Sequence, residues 1–296
     1  MYKINFEQPV HVHFIGIGGI SMSGLAEVLL EEHFTISGSD NKRSPLTEQL
    51  EKAGVTIFYG QKASNIIEGI DVVVYTAAIH EDNEEYQAAV QKGLPMLSRA
   101  ELLGQLMTNY DTPIAVSGTH GKTTTTSMLS HILLSAEMDP TISVGGILKA
   151  IGGNIRVGNS EIFLTEACEY TNSFLHFFPK IGVILNIDED HLDFFKDLAD
   201  IRHSFRKFAE LLPADGTLVI NGEIPELHEI TDGLACRVVT YGPDSSYDYS
   251  ATNILHDQIG EASFDFVKNG EFVTRIALSV NGDHNVSNAL AALAVA

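Results

Sequence analysis

The chain has 296 residues, of which 44% are hydrophobic, so it is long enough for two domains of roughly 150 residues each. Its 39 acidic and 18 basic residues give a formal charge of −21, which argues against unaided binding to nucleic acid or to an anionic membrane. The sequence has no signal-peptide pattern and no apolar run of about 18 residues, so it predicts a cytoplasmic protein without membrane insertion. Cys168 and Cys236 are too few for a disulfide framework, and we expect both to be reduced and buried.

Strand and helix patterns alternate through the first hundred residues. Because strands separated by helices form a parallel sheet covered on both faces, residues 1–108 predict an α/β, Rossmann-like parallel-sheet domain. A polar linker is expected at 108–113. The predicted strands are 10–16, 34–40, 55–60 and 71–78, and the predicted helices are 21–32, 45–54 and 99–107.

A second alternating unit follows, over residues 109–296. The Asn269-Gly270 pair between two strand-like runs is a strong hairpin signal, so an antiparallel flap is expected over 248–280. We predict a P-loop-type, mostly parallel α/β ATPase domain that carries this β flap. Its predicted strands are 113–118, 161–168, 180–187, 216–222 and 237–242, and its predicted helices are 122–136, 197–212 and 284–296.

The stretch "AVSGTHGKTTTT" (115–126) raises the question of phosphate binding. It misses the common pattern G-x-x-x-x-G-K-[ST] because Val116 stands where the first glycine belongs. The context nevertheless fits, since an apolar strand, a glycine turn and a helix beginning at Lys122 follow one another. In such a loop, backbone N–H groups hold an anion, the lysine supplies a positive charge and the Thr123 hydroxyl can bind magnesium. The alternative is a glycine turn with a solvated lysine.

A second glycine turn, "GIGGIS" (16–21), fits G-x-G-x-x-G except that Ser21 holds the third glycine's place. It follows a strand and opens a helix, and Asp40 ends the next strand, where an acid commonly accepts from a ribose hydroxyl. This turn predicts binding of a pyrophosphate and a ribose. A tight turn that binds nothing and a nicotinamide site are the alternatives.

Two acidic clusters follow strands of the second unit. Glu166 and Glu169 end one strand, and "NIDEDHLD" (186–193) ends another with Asn186, Asp188, Asp190, His191 and Asp193. Ligands of open α/β sheets bind at the carboxyl ends of the strands, which is also where the P-loop lies. Magnesium prefers oxygen ligands, so Glu166, Thr123 and nucleotide phosphates are expected to hold Mg²⁺, with Mn²⁺ as a substitute. His191 is expected to complete a second site or to orient a water, and a loop histidine without function is the alternative.

The stretches "GIGGISMSGLAEVL", "SGTHGKTTTT", "TEACEYTNSFLHF", "NIDEDHLDFF" and "GDHNVSNALAALAVA" resemble, in order and spacing, the Mur ligase family of peptidoglycan synthesis. The resemblance covers essentially the whole chain, and the family's own loop, G-T-x-G-K-[ST], matches Gly118 to Thr123 completely. Within the family, the stretches are most similar to those of the ligases that join L-alanine to UDP-N-acetylmuramate. The resemblance implies an ATP-dependent amide ligation that passes through an acyl phosphate.

The resemblance also implies roles for individual residues. Lys122, Glu166 and His191 are expected to be catalytic, and Thr123, Glu166 and His191 to bind metal. The implied ATP site consists of Gly118, Thr119, His120, Gly121, Lys122, Thr123, Thr124, His284, Asn285 and Asn288. The implied UDP-sugar site consists of Gly16, Gly18, Gly19, Ser21, Ser39, Asp40, Thr76 and Ala78.

The chain departs from the family in two respects. Ser21 replaces a glycine found in many relatives, but its hydroxyl can donate to a phosphate. Mur ligases also carry a further C-terminal domain after the asparagine helix, and this chain ends within that helix, so we expect the isolated chain to be inactive in ligation. The amino-acid specificity and the oligomeric state are left open.

Competing functions also remain. A recycling ligase that joins UDP-N-acetylmuramate to a tripeptide shares the same motifs, and a nucleotide-binding module without ligase activity belongs to a different class. Folylpolyglutamate synthases lack a first domain with a glycine turn, and a nicotinamide-dependent dehydrogenase would leave the P-loop unexplained.

Overall fold

The computed structural model describes residues 2–296, which form two compact units. The first contains the chain up to Asn109 together with Ile151–Val157, and the second contains Tyr110–Ala150 and Gly158–Ala296. The strands are β1 (His11–Ile15), β2 (Thr35–Asp40), β3 (Thr56–Tyr59), β4 (Val72–Tyr75), β5 (Met96–Ser98), β6 (Thr112–Ser117), β7 (Thr141–Leu148), β8 (Gly153–Arg156), β9 (Ile162–Glu166), β10 (Ile181–Ile184), β11 (Thr217–Asn221), β12 (Arg237–Gly242), β13 (Tyr249–His256), β14 (Glu261–Lys268) and β15 (Glu271–Asn281). The α-helices are α1 (Ile20–Glu31), α2 (Pro45–Lys52), α3 (Glu84–Gln91), α4 (Arg99–Met107), α5 (Lys122–Ser135), α6 (Leu198–Glu210), α7 (His228–Thr231) and α8 (His284–Val295).

The first unit contains a five-stranded sheet in the order β3-β2-β1-β4-β5, and all of its pairings are parallel. Its helices begin where the sequence supplies capping groups. The Ser44 and Ser98 hydroxyls each accept a hydrogen bond from the backbone N–H of the residue three positions later. In both cases the side chain of that later residue accepts from the backbone N–H of the serine. The predicted parallel-sheet domain is therefore confirmed.

A buried polar network ties the centre of that sheet to α3. The Nε2 atom of His13 lies 2.7 Å from an oxygen of Glu85, and its Nδ1 atom lies 2.8 Å from the Ser37 hydroxyl. The side chains of His13 and Glu85 are both fully buried. Because removing one partner would leave the other buried and unpaired, this pair fixes where α3 begins.

The second unit has its sheet in the order β15-β14-β13-β12-β11-β10-β6-β9-β7. The pairings from β12 to β7 are parallel, and β6 lies between β10 and β9. Strand β13 pairs in parallel with the end of β12 and then antiparallel with β14, which pairs antiparallel with β15. Asn269 and Gly270 both have positive φ, as a tight hairpin turn requires. The predicted mostly parallel sheet with an antiparallel flap is confirmed.

Helices α5 and α8 share one hydrophobic core with the sheet of the second unit. Val116, Leu129 and Leu164 pack in the same buried cluster as Val286 and Leu290 of α8. This packing places the polar residues of α8 beside the loop that joins β6 to α5.

Several elements differ from the expectations. The strand predicted over 71–78 ends at Tyr75, because the chain turns at Thr76, whose carbonyl accepts from the Ile79 N–H. Strand β13 was not predicted, and its last four residues, Asn253 to His256, are exposed and lack an alternating pattern. Helix α3 and strands β5, β7 and β8 were also not predicted. Cys236 is buried as expected, whereas Cys168 is half-buried, and neither cysteine forms a disulfide.

Candidate functional site

The loop between β6 and α5 is shaped by two glycines. Gly118 has φ +141° and Gly121 has φ +85°, and residues other than glycine rarely adopt these backbone conformations. Gly121 is the N-cap of α5, and no side chain bonds to the first turn of the helix. The first N–H groups of α5 are therefore available to an anion, and the helix dipole favours negative charge there.

Asn186, at the end of β10, fixes the conformation of this loop. Its side-chain oxygen accepts from the His120 N–H at 2.7 Å, and its amide nitrogen donates to the His120 carbonyl at 3.0 Å. The neighbouring Thr119 is buried, and its hydroxyl accepts from the Asp188 N–H at 2.9 Å. The strand end next to the P-loop strand thus holds the loop in place.

Lys122 lies folded back over the loop. Its ammonium donates to the carbonyl oxygens of Gly118 and Thr119 and to a carboxylate oxygen of Glu169 at 2.8 Å. The Lys122 side chain is 16% exposed and that of Glu169 only 2%. The charge of Lys122 is therefore held at the mouth of the loop, next to the N-terminus of α5.

Thr123 and Glu166 meet directly. The Thr123 hydroxyl donates to Glu166 Oε2 at 3.0 Å, and the Gly145 N–H donates to Glu166 Oε1 at 2.7 Å. Burial raises the pKa of the Glu166 carboxyl, although these two hydrogen bonds and the charge of Lys122 act in the opposite direction. A hydroxyl and a desolvated carboxylate side by side are oxygen donors of the kind that Mg²⁺ takes, so the residues present fit this ion.

We expect Glu166→Gln to raise the unfolding temperature of the nucleotide-free protein by about 2 °C. Because the pKa of Glu166 is raised, its contribution to stability is present at acidic pH and is lost as pH rises through that pKa. The stability of the glutamine variant relative to the wild type is therefore greatest at pH values above that pKa. Thermal unfolding at about pH 4.5 and about pH 7.5 measures this difference. The same variant is expected to lose the magnesium dependence of ATP binding, and a lower unfolding temperature at the higher pH would contradict the argument.

His191 lies beside Glu169. Its Nε2 atom is 3.8 Å from Glu169 Oε1, its ring centre is 4.5 Å from that of Tyr170, and its backbone φ is +52°. Among residues 2–296, no group of three or more His, Cys, Asp and Glu side chains is placed to hold a metal ion. The structure thus brings Thr123 and Glu166 together, and it places His191 next to Glu169, so a metal role for His191 stays a prediction.

Helix α8 brings two buried asparagines to the loop. Asn288 donates to the Asn285 side-chain oxygen at 3.0 Å, and Asn285 donates to the Asn281 carbonyl. A methyl group on Gly121 would lie 2.5 Å from the Asn288 oxygen, so this side chain abuts the P-loop. His284, the first residue of α8, is exposed, and Thr124 is half-buried in the first turn of α5.

The glycine turn of the first unit is tied to β2. Asp40 accepts from the Gly18 N–H at 2.9 Å, and the Ser39 carbonyl accepts from the Gly16 N–H at 2.9 Å. The Ser39 hydroxyl is buried and has no hydrogen-bond partner. A side chain on Gly16 would collide with Thr76, so the turn, the end of β2 and the segment after β4 converge.

The other residues predicted around this turn lie at its rim. Gly19 is the N-cap of α1, and the Ser21 hydroxyl in the first helical turn accepts from Arg99 at 3.3 Å. Ala78 is exposed in the segment after β4. Asp40 holds the turn itself, a role that the expectation of a ribose contact did not include.

Comparison with known proteins identifies the family. A family model described as the Mur ligase middle domain matches residues 116–296, and one described as the Mur ligase family, catalytic domain, matches residues 11–111. The chain belongs to the Mur ligase family. None of the helices within residues 2–296 is long and apolar enough to cross a membrane.

The Mur ligase relatives that match at high identity share one name. A UDP-N-acetylmuramate--L-alanine ligase of Agathobacter rectalis is 62% identical over 295 residues, which cover 100% of this chain and 64% of that protein. A ligase of the same name from Lachnospira eligens is 58% identical over 295 residues, covering 99% of this chain and 64% of that protein. The chain therefore spans about 64% of the length of these curated relatives.

Solved structures of Mur ligases superpose on the chain. The UDP-N-acetylmuramate:L-alanyl-γ-D-glutamyl-meso-diaminopimelate ligase from Neisseria meningitides gives a TM-score of 0.85 at 31% identity, covering 97% of this chain and 93% of that chain. The UDP-N-acetylmuramate-alanine ligase MurC from Thermotoga maritima gives 0.79 at 30% identity, covering 97% and 64%.

Two residues of the site had no assigned role in the sequence-based prediction. Glu169 binds Lys122, and Asn186 holds the loop backbone at His120. Both stood within the acidic clusters at the strand ends, so their location was visible in the sequence. Their contacts depend on the order of the strands, which brings β9 and β10 to either side of β6.

Proposed function

We propose that the whole protein joins L-alanine to UDP-N-acetylmuramate at the expense of ATP, in the cytoplasmic synthesis of peptidoglycan precursors. The observation that carries this proposal is the P-loop, with Lys122 at the N-terminus of α5 and the Thr123–Glu166 pair beside it. It occurs in a chain 62% identical to a relative named for this reaction.

In the proposed reaction, the lactyl carboxylate of the sugar attacks the γ-phosphorus of ATP, which gives an acyl phosphate and ADP. The amine of L-alanine then attacks the acyl carbon, an amide forms, phosphate leaves and the amine loses a proton. Lys122 and the free N–H groups of α5 offset the negative charge on the transferred phosphoryl group. Magnesium held by Thr123 and Glu166 would neutralise phosphate charge, and the buried Asn285 and Asn288 would contact the adenosine.

The first unit is proposed to bind the UDP-sugar at its glycine turn. Gly18 and Asp40 fix the turn, and the first N–H groups of α1, which no capping side chain takes, are suited to a pyrophosphate. The segment after β4, with Thr76 and Ala78, and the Ser39 hydroxyl would lie near the uridine.

Asp40→Ala is expected to lower affinity for UDP-N-acetylmuramate at least about 10-fold, because without the bond from the Gly18 N–H to this carboxylate the turn is no longer held in the shape proposed to bind the sugar nucleotide. Calorimetry on the whole chain measures this change, with ATP affinity as the internal control. Glu68→Ala, in the exposed stretch before β4 and so at the opposite end of the parallel strands from the glycine turn, is the matched carboxylate control and should bind the sugar like the wild type. Binding of NADH without a response to the UDP-sugar would contradict the proposed ligand.

The ligase for a ready-made tripeptide is the competing function, because the Neisseria structure bears that name and superposes well. The higher identity to the L-alanine ligases favours alanine. A coupled assay of ADP release by the whole protein, with mass spectrometry of the product, distinguishes the two. Amide product with L-alanine and none with the tripeptide is expected, and the reverse result would favour the recycling ligase.

A further inference from the structure

Glu169 combines deep burial with incomplete hydrogen bonding. It lies three residues after the end of β9, and its side chain is 2% exposed. One carboxylate oxygen accepts from Lys122, and the other, Oε1, is buried and has no hydrogen-bond partner. Buried carboxylate oxygens are seldom left unpaired, so an unpaired one beside the loop is suited to a partner that it gains in another state of the site.

The Lys122 ammonium is already saturated. It has three N–H donors, and its acceptors are the carbonyl oxygens of Gly118 and Thr119 and the carboxylate of Glu169. A phosphate can therefore bind the lysine only if one of these acceptors is released. The two carbonyls belong to the loop itself, whereas Glu169 lies on another element, so the bond to Glu169 is the one that can be exchanged.

His191 is placed to replace the lysine. Its Nε2 atom is 3.8 Å from the unpaired Oε1, which is too far for a hydrogen bond but within reach of a small rotation of the side chain. The His191 ring lies against the ring of Tyr170, the residue after Glu169. This contact keeps His191 close to Glu169 when either side chain rotates.

We propose that Glu169 is a positioning residue that holds Lys122 in the empty loop and pairs with His191 once a nucleotide phosphate has taken the lysine. This inference rests on the proposed function, since it requires ATP phosphates at the loop. It predicts that Glu169 competes with the phosphate for Lys122. A carboxylate that served only as part of the phosphate or metal site would instead strengthen nucleotide binding.

Calorimetric titration of the whole chain with ATP, in EDTA to exclude metal binding, tests the proposal. Glu169→Gln keeps the shape and removes the charge, and we expect it to tighten ATP binding about 3- to 10-fold. In the Lys122→Met background the same change should alter affinity less than about 2-fold, because there is no lysine to compete for. Glu189→Gln, an exposed carboxylate on the neighbouring strand end, is the matched charge control and should also stay within about 2-fold.

The possible results distinguish failure of this inference from failure of the proposed function. If the wild-type chain binds no ATP either in EDTA or with magnesium present, the proposed function fails and this inference fails with it. If the wild type binds ATP and Glu169→Gln leaves the affinity unchanged or weakens it, only the role of Glu169 is overturned. An equal gain in ATP affinity in the Lys122→Met background would show that Glu169 acts only by general charge repulsion of ATP. This result would also overturn the role of Glu169.

A second pair of variants keeps the test decisive if Glu169→Gln does not fold. His191→Ala should weaken ATP binding at least about 3-fold when Lys122 is present, because the released carboxylate finds no new partner. In the Lys122→Met background the histidine change should have no effect, since Glu169 then has the same neighbours with and without nucleotide. A loss of equal size in both backgrounds would contradict the exchange of partners.

Discussion

In the whole protein, replacing Lys122 by methionine is expected to slow ATP-dependent ligation at least about 100-fold, in line with the size of electrostatic terms in phosphoryl transfer. Methionine preserves most of the apolar stem but removes the charge at the N-terminus of α5. Affinity for the UDP-sugar should barely change, because its proposed site lies in the other unit. Steady-state ADP release and calorimetry with the UDP-sugar measure the two effects separately.

Lys180→Met provides the matched control for this prediction. Lys180 forms an exposed ion pair with Asp215 at 3.3 Å, and it precedes β10, at the opposite end of that strand from the nucleotide loop. Such a surface ion pair contributes little to the stability of the fold, so this variant should keep wild-type turnover. Wild-type turnover in Lys122→Met would show that the loop does not hold the phosphate, and equal losses in both variants would indicate a nonspecific effect of charge.

The fold was predictable because its signals are local. The glycine turns, the strand before each and the helix after each are contiguous in sequence, and the Asn269-Gly270 pair marked the hairpin directly. Strand β13 was missed because half of it is exposed and lacks alternation. Only its pairing with β12 and β14 makes it a strand, and that pairing is a tertiary property.

The site was predictable in its residue types but not in its contacts. The sequence indicated that Lys122, Thr123 and Glu166 would meet at one sheet edge, since parallel strands end together there. It gave no sign that Glu169 rather than Glu166 would bind Lys122, because the two acids follow the same strand and differ only in where the chain turns after it. That turn uses left-handed backbone at Thr171 and Asn172, which no local pattern announced.

Contacts of α8 show the same limit. Asn288 and Gly121 are separated by most of the second unit in sequence, yet the asparagine oxygen occupies the space where a side chain at Gly121 would begin. The sequence identifies both residues, and only the packing of α5 with α8 explains why the loop needs glycine there.

Gly121→Ala is therefore expected to reduce ATP affinity at least about 10-fold and to lower the unfolding temperature. Any residue other than glycine is strained at φ +85°, by about 1 kcal/mol, and the added carbon would lie 2.5 Å from the Asn288 oxygen. Either Asn288 or the start of α5 must move, and both changes disturb the N–H groups proposed to hold the phosphates. Calorimetry with ATP and thermal unfolding measure the two effects.

Gly270→Ala separates backbone strain from the collision. Gly270 has a similar φ of +80°, but nothing lies within 4 Å of the position that an added carbon would take. This variant should lose about 1 kcal/mol of stability from strain alone and bind ATP like the wild type. The double variant Gly121→Ala/Asn288→Ala removes the collision, so part of the stability lost in Gly121→Ala should return. If Gly121→Ala binds ATP normally, or loses no more stability than Gly270→Ala, the contact between α8 and the loop does not set the shape of the nucleotide site.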